Sequence, residues 1–100
     1  MKIRGRNWSV KVRNHVVDPL DSQTKWGQTN FVEGIITIDA TIEKTFQEQV
    51  LFHELCHASD DSMSEDTIEM MTRTIFPTLV DLKLWSSTVA QKILHSKNDS

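Results

Sequence analysis

The chain has a single cysteine, no tyrosine, and no apolar run longer than three residues, the longest being Val50-Leu51-Phe52. The lone Cys56 excludes an internal disulfide and fits a reducing compartment. A bilayer span needs roughly 20 apolar residues, so no transmembrane helix and no membrane partner are expected. The N-terminal stretch MKIRGRNW is basic but leads into no apolar segment, so a secretory signal is not expected. There is no internal repeat and no low-complexity tract. There is also no basic excess, since 11 Lys and Arg stand against 14 Asp and Glu. Nucleic-acid binders usually carry a clear positive surplus, so nucleic acid is not an expected partner. Arg4, Arg6, Lys11 and Arg13 read instead as the solvated face of a strand.

What is present is an ordinary globular balance, with 38% hydrophobic and 25% charged residues in 100. That length suits one domain, 1–100, with one modest core. The core is expected between about residues 8 and 82, followed by a short helix and tail over 83–100. Residues 8–12 alternate apolar and polar, the period of a half-buried strand. Asp18-Pro19 and Asp21-Ser22 supply turn chemistry. Trp26-Gly27 opens a second extended stretch, and Gly34 precedes the β-branched strand Ile35–Asp39. These strands predict a small, mostly antiparallel sheet in an α+β fold. Trp8, Trp26 and Trp85 read as core or core-edge residues, and His15 as a strand or turn residue without function.

Helical periodicity takes over after Ala40. Thr45 with Glu48 matches a capping box, with Thr41 as the alternative start. Phe46, Val50, His53 and His57 share one face, and Leu51, Leu55 and Ala58 form an adjacent apolar stripe. This helix should end near residues 59–61. A second helix is expected from Ser62 or Ser64, with Ile68, Met71, Ile75 and Leu79 as its apolar stripe. Pro77 should kink or interrupt it. A third is expected from about Ser87 to Leu94, using Val89, Ile93 and Leu94. The tail over 96–100 is expected to fray.

The first helix carries His53-Glu54-Leu55-Cys56-His57, an HExxH motif. Residues four apart lie one above the other on a helix, so both imidazoles can reach one metal ion at about 2.0–2.1 Å. Glu54, rotated by about 100°, sits beside the ion and can accept a proton from the water that the ion activates. The bland alternative is an amphipathic helix with two surface histidines. Zinc needs a third protein ligand. Glu65 stands one turn before Ile68 and two before Thr72, and if those face inward Glu65 does too. Asp61 and Asp66 remain alternatives, and Ser62-x-x-Glu65 also reads as a capping box. Glu69 is spaced to support a ligating histidine by a hydrogen bond, although such positions are usually solvated. Cys56 points away from His57 and reads as a small inert residue, with a thiolate ligand as the alternative. His95 is too distant to ligate.

Trp8-Ser-Val-Lys-Val12, Trp26-Gly27, Ile36-Thr-Ile-Asp39, His53 to Ala58, and Ser64-Glu65-Asp66-Thr67-Ile68-Glu69 together form a recognisable series. In this series, from about residue 8 to 82, the chain resembles the small zincin-like metallopeptidases of bacteriophage and prophage genomes. The resemblance implies a minimal zincin-like fold, a Zn2+ cofactor, Glu65 as third ligand, and Glu69 behind a histidine. Three features depart from the pattern. The connection from His57 to Glu65 is short, Asp66 stands where a glutamate is usual, and without tyrosine no Tyr can stabilise an oxyanion. The ion itself, His15 or Arg73 are the remaining candidates for that role.

The expected function is zinc-dependent hydrolysis of a peptide or protein substrate, with Glu54 as the catalytic base. Strand Ile35–Asp39 is expected to offer an edge on which a substrate pairs. The alternative is a non-catalytic, zinc-stabilised module that binds a phage or host protein. A narrower version of the first is a regulatory protease that cuts one repressor or host factor. The expected compartment is the cytoplasm of a bacterial host.

Overall fold

Strands occupy the first part of the chain and helices the second, as the change from period two to period 3.6 dictates. The computed structural model describes residues 1–14, 16–17 and 24–95. His15, the expected turn over 18–22 and the tail over 96–100 lie outside the described residues.

The N-terminus forms a hairpin that the alternation pattern does not reveal. β1 (Lys2–Ile3) pairs antiparallel with β2 (Arg6–Asn7). Arg4 and Gly5 form the turn with φ of 52° and 81°, the positive pair that a two-residue type I′ turn requires. β3 follows at Ser9–Arg13, then the short antiparallel pair β4 (Val16–Val17) and β5 (Thr24–Lys25), then β6 (Gly27–Asn30) and β7 (Ile35–Asp39).

The main sheet has the order β3-β7-β6. The α+β class is as expected, but the sheet is mixed rather than mostly antiparallel. β7 runs parallel to β3, with Ser9 opposite Ile35, and antiparallel to β6, with Gly27 opposite Ile38. The reason is the number of reversals. The chain turns back once between β4 and β5 and again over residues 31–34, so β7 travels in the direction of β3 and inserts beside it. Gly34, at φ 70°, closes the second reversal by donating its N–H to the Asn30 carbonyl at 2.9 Å. Ile35–Asp39 is therefore the central strand and offers no edge. The edge strand beside α1 is β6.

Ile36 and Ile38 are fully buried. α1 (Lys44–Ser59) packs across β6 and β7, and contributes Val50, Leu51 and Ala58 to the core. Asp39 shapes the entry to α1 by accepting from the Thr41 backbone N–H (2.7 Å) and hydroxyl (2.6 Å). The expected capping box is not formed. The helix starts at Lys44, its N-cap Glu43 makes no capping bond, and Thr45 donates to the Glu43 carboxylate. Glu48 is drawn to the far end of the chain, where its carboxylate accepts from Trp85 Nε1 (3.0 Å), Ser87 Oγ (2.7 Å) and Gln91 Nε2 (2.8 Å).

α2 (Glu65–Asp81) starts on Ser64, whose side chain accepts from the Thr67 N–H. Its inward residues are Ile68, Thr72 and Phe76, a strict four-residue ladder. Ile75, expected in the stripe, is exposed, and Met71 and Leu79 are only half-buried. The inward line is narrower than the hydropathy pattern suggests because Thr72 fills one rung by bonding its hydroxyl to the Ile68 carbonyl at 2.8 Å. The helix continues through Pro77. Pro77 and Arg73, the residue whose carbonyl loses its partner, both lie on the exposed side, where water can substitute for the missing N–H.

α3 occupies Ser87–Leu94 as expected and packs on β3 and α1. Its buried residues are Ala90 and Leu94, so the third helix completes the same core rather than trailing from it. Val89 is exposed. Phe52, Phe76 and Trp85 meet in an aromatic cluster joining α1, α2 and the approach to α3. Among the described residues, no helix is long and apolar enough to cross a membrane.

Candidate metal centre

The site forms where the second half of α1 meets the first turn of α2. α1 ends at Ser59. Asp60 then accepts from the Ser62 backbone N–H (3.0 Å) and hydroxyl (2.6 Å), a tight Asx-type turn. Ser64 caps α2 three residues before Thr67. These two local devices fold the chain back within residues 60–64. They place Glu65, the first residue of α2, against the histidine face of α1.

The Glu65 carboxylate spans both histidines. Its Oε1 lies 2.7 Å from His53 Nε2 and its Oε2 lies 3.0 Å from His57 Nε2. The imidazole rings stand 5.0 Å apart, centroid to centroid. Glu69, one turn along α2, places Oε1 3.4 Å from His53 Nδ1, on the ring edge opposite Glu65. Asp61 and Asp66 are exposed and outside the group. His95 ends α3 and is likewise outside it.

The donor set suits a divalent ion. One ligand atom from each of His53, His57 and Glu65 can be chosen so that all three lie within 4.8 Å of one another. Ligands around a tetrahedral zinc, bound at about 2.0–2.1 Å, stand roughly 3.3 Å apart, so small side-chain adjustments suffice. Two imidazoles and a carboxylate favour borderline ions, of which zinc is one; the set does not by itself single zinc out.

Glu54 differs from its neighbours by being buried, with 6% of its surface exposed. Burial raises its pKa above the ordinary carboxylate value, and the nearby Glu65 charge adds to that rise. A hydrogen bond from Thr29 and the two imidazoles pull the other way without cancelling it. The Thr29 hydroxyl lies 2.8 Å from Glu54 Oε1 and 3.2 Å from the Glu54 backbone carbonyl. Thr29 is a site residue that the motif gives no reason to find, because it comes from β6, 25 positions away.

Gly27 explains how that strand comes so near. A Cβ at this position would lie 2.6 Å from Val50 Cγ1 and 3.0 Å from Glu54 Cγ. Only glycine lets the backbone of β6 rest directly on α1 there. Between β6 and the two helices lies an open cleft of about 850 Å³, whose lining includes Trp26, Thr29, Phe46, Glu54 and the three candidate ligands. Trp26 is 54% exposed, so it belongs to the cleft wall rather than to the core.

Cys56 is half-buried and outside the group. Burial and the Glu54 charge both push its thiol pKa up, which disfavours the thiolate that metal binding needs. Arg73 is exposed on α2 and does not line the cleft. Comparison with protein-family models, curated proteins and solved structures found no match to this chain.

Proposed function

We propose that this cleft hydrolyses peptide bonds using a divalent ion, with zinc as the expected occupant, held by His53, His57 and Glu65. The observation that carries the reading is the convergence of these three donors beside a buried glutamate in one open cleft. When bound, such an ion acidifies a water molecule and polarises a carbonyl oxygen. Glu54 supplies the proton chemistry. Thr29 engages Oε1, which leaves Oε2 to take a proton and pass it to the leaving amine. The raised pKa of Glu54 brings its proton affinity nearer the working pH, as a general base requires. Glu69 steadies the His53 ring through Nδ1.

The substrate backbone has a natural place. β6 pairs with β7 on one side, and among the described residues no strand pairs with its other side. An extended peptide can add there by β-augmentation, along the cleft wall that carries Thr29. This arrangement is in keeping with the resemblance to small phage and prophage zincins acting in a bacterial cytoplasm.

A second reading has its own support. Glu65 contacts both histidines across the α1–α2 pair, so an ion there would also tie the helices together and serve a protein-binding module. Glu54 favours the first reading, because an ion that only ties the helices has no use for a carboxylate of raised proton affinity beside it. The test compares zinc-loaded wild type with Glu54→Gln on a peptide library read by mass spectrometry. Wild type should cleave, and the variant should keep its zinc while losing about 10³-fold in rate. Undiminished cleavage by the variant would remove Glu54 as the base. No cleavage by zinc-loaded wild type would favour the tying role.

A further inference from the structure

We propose that the cleft selects peptides that carry a large aromatic or aliphatic side chain, received by Trp26 and Phe46. This rests on the peptidase reading for its consequence, although not for its binding chemistry.

Trp26 and Phe46 meet edge to face with ring centroids 5.8 Å apart, one from the residue just before β6 and the other from the first turn of α1. More than half of the Trp26 surface remains exposed. An indole held in fixed geometry at a cleft wall, with its surface uncovered, is an apolar receptor for a further ring or branched side chain. Phe46, Val50 and His53 follow one another along one face of α1, so the aromatic pair and the candidate ligands share one cleft. At 1.5 Å rise per residue, Phe46 lies about 10 Å along the helix from His53. An extended peptide covers that distance in about three residues, at roughly 3.3 Å each. The selected side chain therefore sits two or three residues from the bond that is cut.

The test uses zinc-loaded Glu54→Gln protein, so that no peptide is consumed, and amide chemical-shift titration, which resolves weak affinities. The probes are a blocked hexaalanine peptide and the same peptide with one phenylalanine at each position in turn. Phenylalanine at one position at least should tighten binding about tenfold. Trp26→Ala should bring the phenylalanine series down to the hexaalanine affinity, and Trp26→Phe should restore much of the gain. Thermal melts establish that both variants fold. A phenylalanine series that binds no better than hexaalanine, or a gain that survives Trp26→Ala, overturns the proposal. If the preference holds but wild type leaves the best peptide uncut, the selectivity stands and the hydrolytic reading fails.

Discussion

Two glutamates on the same helix, Glu48 and Glu54, are both almost completely buried, yet their surroundings drive them in opposite directions. Burial pushes Glu48 up, but hydrogen bonds from Gln91, Ser87 and Trp85 outweigh it and hold the carboxyl below its ordinary pKa. Burial pushes Glu54 up too, and there the hydrogen bond from Thr29 with the two imidazoles fails to restore the balance. The first is a structural anchor, ionised and saturated with donors, that fastens α3 to α1. The second is an under-supplied carboxylate held at a cleft floor with capacity left over for a proton. Donor supply together with the depth to which the carboxylate is desolvated separates a carboxylate that holds the fold from one that is fit for chemistry.

The contrast can be broken most severely at Glu48. Glu48→Ala leaves three donors facing a gap and should cost about 3 kcal/mol in urea denaturation. Glu54→Gln should do the opposite in metal-free protein, gaining about 1 kcal/mol at neutral pH by removing a desolvated charge. The signs follow from linkage. The folded pKa of Glu48 is depressed, so its contribution is present above the unfolded value near 4.5 and is lost as pH falls through the folded value. The folded pKa of Glu54 is raised, so the cost of its charge is absent below about 4.5 and sets in as pH rises through the folded value. The gain from Glu54→Gln should therefore fade in melts on the acid side. If it persists below pH 4, Glu54 is not the source.

A smaller change sharpens the comparison. Thr29→Val removes the hydroxyl that partly supports the Glu54 anion, so the Glu54 pKa should rise further. Peptide hydrolysis should fall about threefold near pH 6 and recover toward higher pH, a pattern that pH–rate profiles resolve. A uniform loss at all pH values would show that Thr29 shapes the wall without tuning the base.

The local half of this design is legible in the sequence. The β-branched run at Ile35–Asp39, the span of α3 and the one-face spacing of His53 and His57 follow from periodicity alone. Glu65 stands at the start of α2 as its place one turn ahead of Ile68 suggests, but it is exposed beside the histidines rather than turned inward. The remainder depends on contacts between distant segments. Alternation identifies β3 and β7 as strands but carries no information on which way neighbours run, so the parallel pairing and the central place of β7 are not visible. Glu48 reads as a local cap because its true partners, Trp85, Ser87 and Gln91, come from the far end of the chain. Thr29 reaches Glu54 only because Gly27 lets a strand lie against a helix. Trp26 reads only as core or core-edge because hydrophobicity cannot tell a core wall from a cleft wall.

The account depends above all on three side chains gripping one ion, and a calorimetric zinc titration of wild type beside Glu65→Ala tests that most directly. Wild type should take up one zinc per chain, and the variant should lose more than about a hundredfold in affinity, beyond the loss typical of a merely supporting partner. Unchanged, stoichiometric binding in Glu65→Ala would contradict the site as described.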